Sequence, residues 1–452
     1  MKKTRSYNWI LIYLILVILD IFSMILFELG SEKYSLAFVE FLVIFTFSIF
    51  FIKSSKANGI LSLYSLFLIF SVFFMYSRIV FEWIGYLNRQ VNDFYFFLTN
   101  IHFKDKTVFD FMFYTIMYLI SVDFGYYYSK FSDNRLDDRT ENNTAKFFIF
   151  LCIILIMPLL LYKSYLDIKN VKLNGYQSIL DRSSYPFYLK GVGTIFISLF
   201  YCLFMFKMTK KEILILIFIY LIYSFTSSLR GSRSVFFIPF VFSFYILWRL
   251  DIIKISFFKL IIIASCSILL IAWFTVVLRG ERISDSSLSK IFKYILYGQG
   301  NSIGVPLYYL EYKDYLNTRI QLPLFLEDWF SFFTNFFHKG SYYVALVANK
   351  KNVEGGLGES IYVELLNLPL VFSLPVSFYF GKILKKVEMN LLSNKFRIPF
   401  CLLLSQWLFA LARFAFFNFL DLYGICEMFL TVVLFLFFNN CSKYILKVRC
   451  HA

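Results

Sequence analysis

Charged residues and histidines are scarce in this sequence, and each shortage excludes a class of protein. Only 16% of the 452 residues are charged, whereas soluble domains carry about 25%, so water is not the main solvent of this chain. The three histidines stand at positions 102, 338 and 451, and no HExxH, CxxC or DxD motif occurs. We therefore expect neither a metal ion nor another cofactor.

Long apolar runs make up most of the chain. Hydrophobic residues form 59% of the sequence, in runs of about 20, the length of helix that crosses a bilayer core of about 30 Å. Hydrocarbon offers backbone N–H and C=O groups no partner, so such runs must be helical. The sequence predicts an all-α integral membrane protein with about twelve transmembrane helices, near residues 8–27, 34–52, 58–77, 107–128, 146–163, 187–206, 212–228, 233–249, 257–278, 361–380, 398–418 and 420–439.

The net charge of +16 is spread in small groups between the apolar runs. Compact basic groups occupy alternate connections, such as Lys2 with Lys3 and Lys210 with Lys211. By the positive-inside rule, these connections and both termini are cytoplasmic, which agrees with an even number of spans. The dispersed charge argues against nucleic acid as a partner. The apolar run after Arg5 is interpreted as a retained first span and not as a signal peptide.

The spans divide the chain into three predicted parts: helices 1–9 in residues 1–278, a large loop in residues 279–360, and helices 10–12 with a cytoplasmic tail in residues 361–452. Two shorter outer segments are predicted at 78–106 and 164–186. The large loop lies between helices 9 and 10 on the outer face, and loops of this length are usually functional or disordered. Its many aromatic residues argue against disorder.

Two short arginine motifs lie at the outer ends of spans. The sequence SSLRGSRS places Arg230 and Arg233 between two short apolar spans, and RGER places Arg279 and Arg282 after the ninth span. Arg413 lies inside an apolar run near its outer end. Arginine forks match phosphate oxygens, so these side chains are candidates for an anion site. The alternative is that they snorkel to the headgroups and have no further role.

The end of the large loop carries a glycine-rich turn before the tenth span. Gly355, Gly356 and Gly358 precede a predicted helix, whose first backbone N–H groups could bind an anion; a flexible hinge is the alternative. Glu364 lies about one turn into that predicted helix, where a carboxylate is costly unless it is paired. We expect an arginine as its partner. His338 is a candidate base or an ordinary surface histidine.

These features together resemble the Wzy-type O-antigen polymerases of bacterial envelopes. The resemblance covers most of the chain: about twelve spans, SSLRGSRS between two short spans, RGER opening a large outer loop, and GGLGESIYVEL returning to the membrane. The chain is also similar in layout to the O-antigen ligases, which usually carry a loop histidine followed by Asn, Ser or Gln. Here His338 is followed by Lys339 and Gly340, which departs from the ligase pattern.

The resemblance implies polymerisation of undecaprenyl-diphosphate-linked oligosaccharide repeat units at the periplasmic face of the bacterial inner membrane. The partners would be this lipid-linked substrate, membrane lipid and a chain-length regulator protein. Arginines would bind the diphosphate leaving group, with Arg279 in the catalytic set. The acceptor hydroxyl would need a base such as Glu364, Glu359 or His338.

Two alternative functions remain open from the sequence, a ligase-like transferase and a flippase or transporter of the same lipid-linked sugar. A transporter would place its charges along a cavity open to both faces. The five arginines named above lie at one face beside the long loop, which favours an enzyme.

Overall fold

The computed structural model of the chain consists mainly of α-helices. It describes residues 2–83, 93–96, 99–128, 138–174, 189, 191–230, 234–254, 259, 262–263, 266, 301–330, 360–391, 394–409, 411 and 422–451. The helices are α1 (Lys2–Glu28), α2 (Glu32–Asn58), α3 (Leu63–Ser71), α4 (Ser77–Trp83), α5 (Asp105–Tyr128), α6 (Asn143–Asn174), α7 (Val192–Phe204), α8 (Lys210–Ser228), α9 (Ser234–Arg249), α10 (Gly304–Glu311), α11 (Lys313–Asn317), α12 (Leu324–Phe330), α13 (Ile361–Asn367), α14 (Leu370–Asn390), α15 (Ile398–Leu408) and α16 (Leu422–His451).

Three smaller elements complete the described part of the chain. A π-helix, Val72–Tyr76, joins α3 to α4, and a 3₁₀ turn, Asn301–Ile303, precedes α10. Strands β1 (Asp93–Phe96) and β2 (Thr99–His102) form an antiparallel hairpin. Apart from this hairpin the described secondary structure is helical, so the predicted all-α class is confirmed.

Seven described helices are long and apolar enough to cross a membrane. They are Trp9–Glu28, Glu32–Asn58, Leu63–Val80, Asp105–Tyr128, Asn143–Leu173, Lys210–Ser228 and Gly424–Tyr444. Three shorter apolar helices, α7, α9 and α15, lie where further spans were predicted. The predicted span 257–278 falls largely outside the described residues. A multi-pass membrane protein is thereby confirmed, and the count of twelve stays a prediction.

Helices continue beyond two of the predicted loop boundaries, and one predicted span is divided. The predicted outer segment 78–106 begins inside a helix, since α4 runs to Trp83. The segment 164–186 likewise begins inside α6, which ends at Asn174. The predicted span 361–380 is two helices, because the chain is extended at Leu368, before Pro369. A residue before proline disfavours the helical conformation, so α13 ends there and α14 starts anew.

The described residues form two units. The first comprises those within Met1–Phe131, Lys293–Lys386 and Leu408–Asn418, and the second those within Ser132–Phe292, Val387–Trp407 and Phe419–Ala452. In the first unit α1, α2, α5 and α14 pack together around a buried ion pair. Lys53 on α2 and Asp123 on α5 are ion-paired with side chains 7% and 0% exposed.

Aromatic side chains enclose the Lys53 ammonium group. Its Nζ donates to the Tyr13 hydroxyl at 2.6 Å and lies 3.9 Å from the ring centre of Tyr127 and 4.2 Å from that of Trp9. The Tyr13 hydroxyl also donates to Asp123. Three helices are thus held together by one cluster whose charges are compensated inside the protein, as a group away from water requires.

Helices α5 and α14 cross with no room for a side chain at the contact. A Cβ atom on Gly125 would lie 2.0 Å from the carbonyl oxygen of Phe378, and one on Gly381 would lie 2.1 Å from that of Val122. Small residues allow this close approach, which increases van der Waals packing between helices in a membrane.

The described part of the large loop is folded against the first unit. Glu311 accepts a hydrogen bond from Thr107 and pairs with Lys104 at 3.2 Å, next to the start of α5. Asn367, the last residue of α13, accepts a hydrogen bond from the backbone N–H of Leu324 at 2.9 Å. The expectation that this loop is ordered is confirmed for residues 301–330.

In the second unit α6 and α8 run side by side and are joined at the end where α8 begins. Thr209 and Glu212 form a capping box at the N-terminus of α8. Lys146 on α6 donates to Glu212 at 3.0 Å and to the carbonyl oxygen of Lys207 at 3.0 Å. Lys146 therefore donates hydrogen bonds both to the Glu212 carboxylate that caps α8 and to the backbone carbonyl of Lys207 before α8.

Substituting the crossing glycines tests the close approach of α5 and α14. We expect Gly125→Ala and Gly381→Ala each to destabilise the protein by about 1–3 kcal/mol or more, since the clash is with backbone. The measurement is the thermal midpoint of purified protein in detergent. Gly191→Ala is the control, because a Cβ there meets nothing within 4 Å. Equal midpoints for all three variants would contradict the described packing.

A double-mutant cycle tests the buried pair. Asp123→Leu leaves Lys53 buried without its counterion and should cost about 3–5 kcal/mol. Adding Lys53→Met removes the isolated charge, so the double variant should unfold at a higher temperature than the single one. A double variant less stable than Asp123→Leu would show that the pair is not coupled.

Candidate functional site

The structure describes two of the predicted site residues, Arg230 and Glu364. The others lie outside the described residues: Arg233, Arg279, Arg282, Arg413, Glu359, His338, Gly355, Gly356 and Gly358. Their predicted roles therefore remain predictions. Arg230 and Glu364 belong to different units, and the pairing expected between Glu364 and an arginine is likewise still a prediction.

Arg230 is fixed along one edge of its guanidinium group. It follows the end of α8 at Ser228, and its Nη1 donates to Oδ2 of Asp167 at 3.1 Å. The side chain is 25% exposed. Its Nε is buried and has no hydrogen-bond partner among the residues that the structure describes. One donor is thus held by a carboxylate, while the buried Nε has no partner among the described residues.

Asp167 is the partner that the sequence did not predict. It lies on α6, its side chain is 7% exposed, and the sequence had assigned it to an outer connection. One turn earlier, Ser164 shares a hydrogen bond with Ser227 at 3.2 Å. Each of the two contacts joins residues that are 63 positions apart in the sequence. At this end α6 and α8 therefore run parallel and in one register.

Polar side chains continue from Arg230 along one face of α8. Tyr220, Tyr223, Ser227 and Arg230 follow at intervals of three and four residues, the spacing of a single helical face. Tyr220 is buried, and its hydroxyl has no hydrogen-bond partner among the described residues. Tyr223 lies within electrostatic range of Arg230, Asp167 and Glu427. These four residues form a polar face on an apolar helix.

Glu427 on α16 belongs to the same group. Its backbone carbonyl accepts a hydrogen bond from Ser198 of α7 at 3.2 Å, which places it beside α7. Its carboxylate lies within electrostatic range of Tyr201 and Tyr220 as well as Tyr223. The sequence analysis overlooked it, although a carboxylate in an apolar run is the same signal that singled out Arg413.

Glu364 lies in the first unit, on the short helix α13. It is buried, at 5% exposure. The helix starts at Ser360, whose hydroxyl accepts from the backbone N–H of Tyr362 at 3.2 Å, and Ile361 donates to the carbonyl of Leu411 at 3.1 Å. Glu364 therefore lies in a separate helix before the span, which corrects its predicted position within one continuous apolar helix.

The first unit also contains a buried ionic cluster after the π-helix. Nε of Arg78 donates to Glu82 at 3.0 Å, and both side chains are 1% exposed. Trp83 donates to Glu40 of α2 at 2.9 Å. The sequence places Arg78 in the predicted outer segment 78–106, and no local pattern points to this cluster. π-helical turns often mark functional sites. Here the π-helix is followed by Arg78, whose charge is balanced by Glu82.

Metal binding finds no support in the described part of the chain. No group of three or more His, Cys, Asp or Glu side chains there could hold a metal ion.

A model of the family described as O-antigen polysaccharide polymerase Wzy matches residues 9–444, nearly the whole chain. No curated protein and no solved structure matches. The match spans both units, and it agrees with the resemblance that the arginine and glycine motifs indicated. The chain therefore belongs to the O-antigen polysaccharide polymerase Wzy family.

Proposed function

We propose that this membrane glycosyltransferase polymerises undecaprenyl-diphosphate-linked oligosaccharide repeat units at the periplasmic face of the bacterial inner membrane. Its family acts in O-antigen polymerisation. In the proposed topology both termini are cytoplasmic and residues 279–360 lie outside, as the basic connections predict. A chain-length regulator protein is a proposed further partner.

The proposed reaction transfers the growing glycan from its lipid carrier to the terminal sugar of a new unit. The acceptor hydroxyl attacks the anomeric carbon of the donor, and the bond from that carbon to the diphosphate oxygen breaks. The diphosphate leaves with the lipid, and the acceptor loses its proton to a base. Negative charge therefore develops on the leaving oxygen, where fixed hydrogen-bond donors lower the barrier most.

The geometry of Arg230 carries this proposal. Asp167 holds one nitrogen, which fixes the plane of the guanidinium group before substrate binds. The side chain is 25% exposed, and this exposed part of the guanidinium group is proposed to donate to a diphosphate oxygen. A guanidinium group that only snorkels would keep its donors in water, so a buried donor favours the anion-binding interpretation. Arg233, Arg279, Arg282 and Arg413 are proposed as further members of this surface.

We propose Glu427 as the base that accepts the proton of the acceptor hydroxyl, in addition to the sequence candidates Glu364, Glu359 and His338. Glu427 and Arg230 both lie within electrostatic range of Tyr223. A transfer of this kind needs a base for the acceptor proton while charge develops on the leaving group.

Replacing Arg230 by lysine tests whether the planar guanidinium group, with its several donors, is needed. Lysine keeps the charge but cannot hold Asp167 and donate to an oxygen in one plane. We expect Arg230→Lys to polymerise lipid-linked repeat units about 10²-fold more slowly, the usual cost of one lost oxyanion donor. The product ladder is measured with purified protein in lipid vesicles.

Arg249→Lys is the matched control, since this arginine ends α9 and has no place in the proposed site. Arg279→Lys and Arg413→Lys extend the test to two proposed members of the arginine surface that lie outside the described residues. Near-normal polymer from Arg230→Lys, Arg279→Lys and Arg413→Lys together would leave these arginines as interfacial anchors.

Removing the proposed base tests the acid–base step. Glu427→Gln keeps the shape but cannot accept a proton, so turnover should fall by about 10²–10⁴-fold with unchanged binding of the lipid-linked unit. Glu364→Gln is measured beside it, with the exposed Glu28→Gln as the control. Loss of turnover in Glu364→Gln but not in Glu427→Gln would assign the base to the loop end of the first unit.

A further inference from the structure

Aromatic rings and lysines form one patch where α5 ends beside α14, on the surface of the first unit. We name it the lysine–aromatic patch, and it consists of Phe124, Tyr128, Phe378, Tyr379, Lys382 and Lys386. The ring centre of Phe378 lies 5.7 Å from that of Phe124 and 6.1 Å from that of Tyr128. Nζ of Lys382 lies 5.9 Å from the ring centre of Phe378 and 5.4 Å from that of Tyr379. These contacts join the two helices at their surface.

The patch is exposed, and the described part of the chain does not balance its positive charge. Tyr128 and Tyr379 are 65% and 60% exposed. Lys386 is exposed and follows Lys382 by four residues, so the two lysines are neighbours on one face of α14. Neither lysine belongs to an ion pair among the residues that the structure describes. Two ammonium groups therefore lie beside exposed rings without a counterion from the described chain.

A third lysine of the same helix differs from these two, because protein groups bind its ammonium group. Nζ of Lys385 donates to Oδ1 of Asn58 at 3.0 Å and lies 4.8 Å from the ring centre of Tyr126, a buried residue. The Asn58 amide in turn donates to the Tyr127 hydroxyl at 3.1 Å. The inward lysine is thus held by α2 and α5, whereas Lys382 and Lys386 keep N–H donors for a ligand that approaches from outside the protein.

The exposed side chains along α14 change in a fixed order from its start to its end. Val371, Phe372 and Val376 are apolar and 77%, 62% and 43% exposed. Tyr379 follows one turn later, and the two lysines of the patch come after it. Hydrocarbon, the aromatic belt and the charged headgroups follow one another in the same order across one leaflet of a bilayer. The sequence of this helix therefore places the patch at the depth of the lipid phosphates.

An anionic phospholipid matches this arrangement better than a free phosphate does. Its phosphate can accept charge-assisted hydrogen bonds from both ammonium groups. Its acyl chains can cover Val376 and the exposed rings, which a soluble anion would leave uncovered. Two lysines exposed to water would bind a free anion only weakly, because ion pairs in water contribute little. Basic sites between membrane helices on the cytoplasmic side bind anionic headgroups by the same combination of contacts.

We propose that the lysine–aromatic patch binds one anionic phospholipid, with its phosphate at Lys382 and Lys386 and its acyl chains beside Val376. The leaflet is the one that the basic connections predict to be cytoplasmic. The bound lipid contacts both α5 and α14 next to the close approach at Gly125 and Gly381, and it stabilises the packing of these helices. The proposal is independent of the proposed function, because it uses none of the arginine residues and no step of the reaction.

Native mass spectrometry of the full-length protein, released from detergent, measures the binding of the first lipid. The probes are dioleoyl phosphatidylglycerol, phosphatidylcholine with the same acyl chains, and glycerol 3-phosphate as the headgroup without a lipid. We expect the wild-type protein to bind phosphatidylglycerol about tenfold more tightly than phosphatidylcholine, the scale of one charge-assisted hydrogen bond. The double variant Lys382→Gln with Lys386→Gln should lose this preference, and Lys382→Arg with Lys386→Arg should keep it.

Lys443→Gln is the matched control, because this exposed lysine adjoins Tyr444, which is 71% exposed, at the end of the membrane helix Gly424–Tyr444. It lies outside the patch and should leave the preference unchanged. Lys386→Gln alone repeats the test at an exposed position where the fold is not at risk.

Three results would overturn the proposal. The first is a preference for phosphatidylglycerol that is absent from the wild-type protein or survives in the double glutamine variant. The second is an equal loss in Lys443→Gln, which would assign the preference to basic charge in general and not to a site. The third is glycerol 3-phosphate bound as tightly as phosphatidylglycerol, which would make the occupant a soluble anion.

Discussion

Every polar group that this chain takes out of water must find its partner within the protein, and both units are organised by that requirement. Lys53 in the first unit is saturated by Asp123, Tyr13 and the surrounding rings. Arg230 in the second unit meets the requirement only in part, because one buried nitrogen has no partner among the described residues. The two cations therefore differ in how completely the described residues pair them.

Hydropathy predicted the membrane helices well but not where they end. Apolar runs mark the hydrocarbon boundary, while a helix ends where its backbone hydrogen bonds do. α6 therefore continues to Asn174, and α4 to Trp83, through polar residues that looked like connections. Pro369 was a local signal for the helix break at Leu368, but the long apolar run around it favoured one continuous helix.

The proposed site could be predicted only in part from the sequence, for a physical reason. Arg230 could be found because a charge beside an apolar run is costly and therefore informative. Asp167 could not, since its importance comes from a contact with a residue 63 positions away that no local pattern records. Glu427 carried the same signal as Arg413 and was overlooked among the apolar residues around it.

The paired contacts of α6 and α8 constrain how this sequence can change over evolutionary time. Lys146–Glu212 joins the two helices where α8 begins, and Ser164–Ser227 and Asp167–Arg230 join them where it ends. A one-residue insertion within α6 between the two joints would rotate one against the other by about 100°. Such an insertion would separate the partners at one of the two joints, and replacing one partner of an ion pair would leave the other without its counterion.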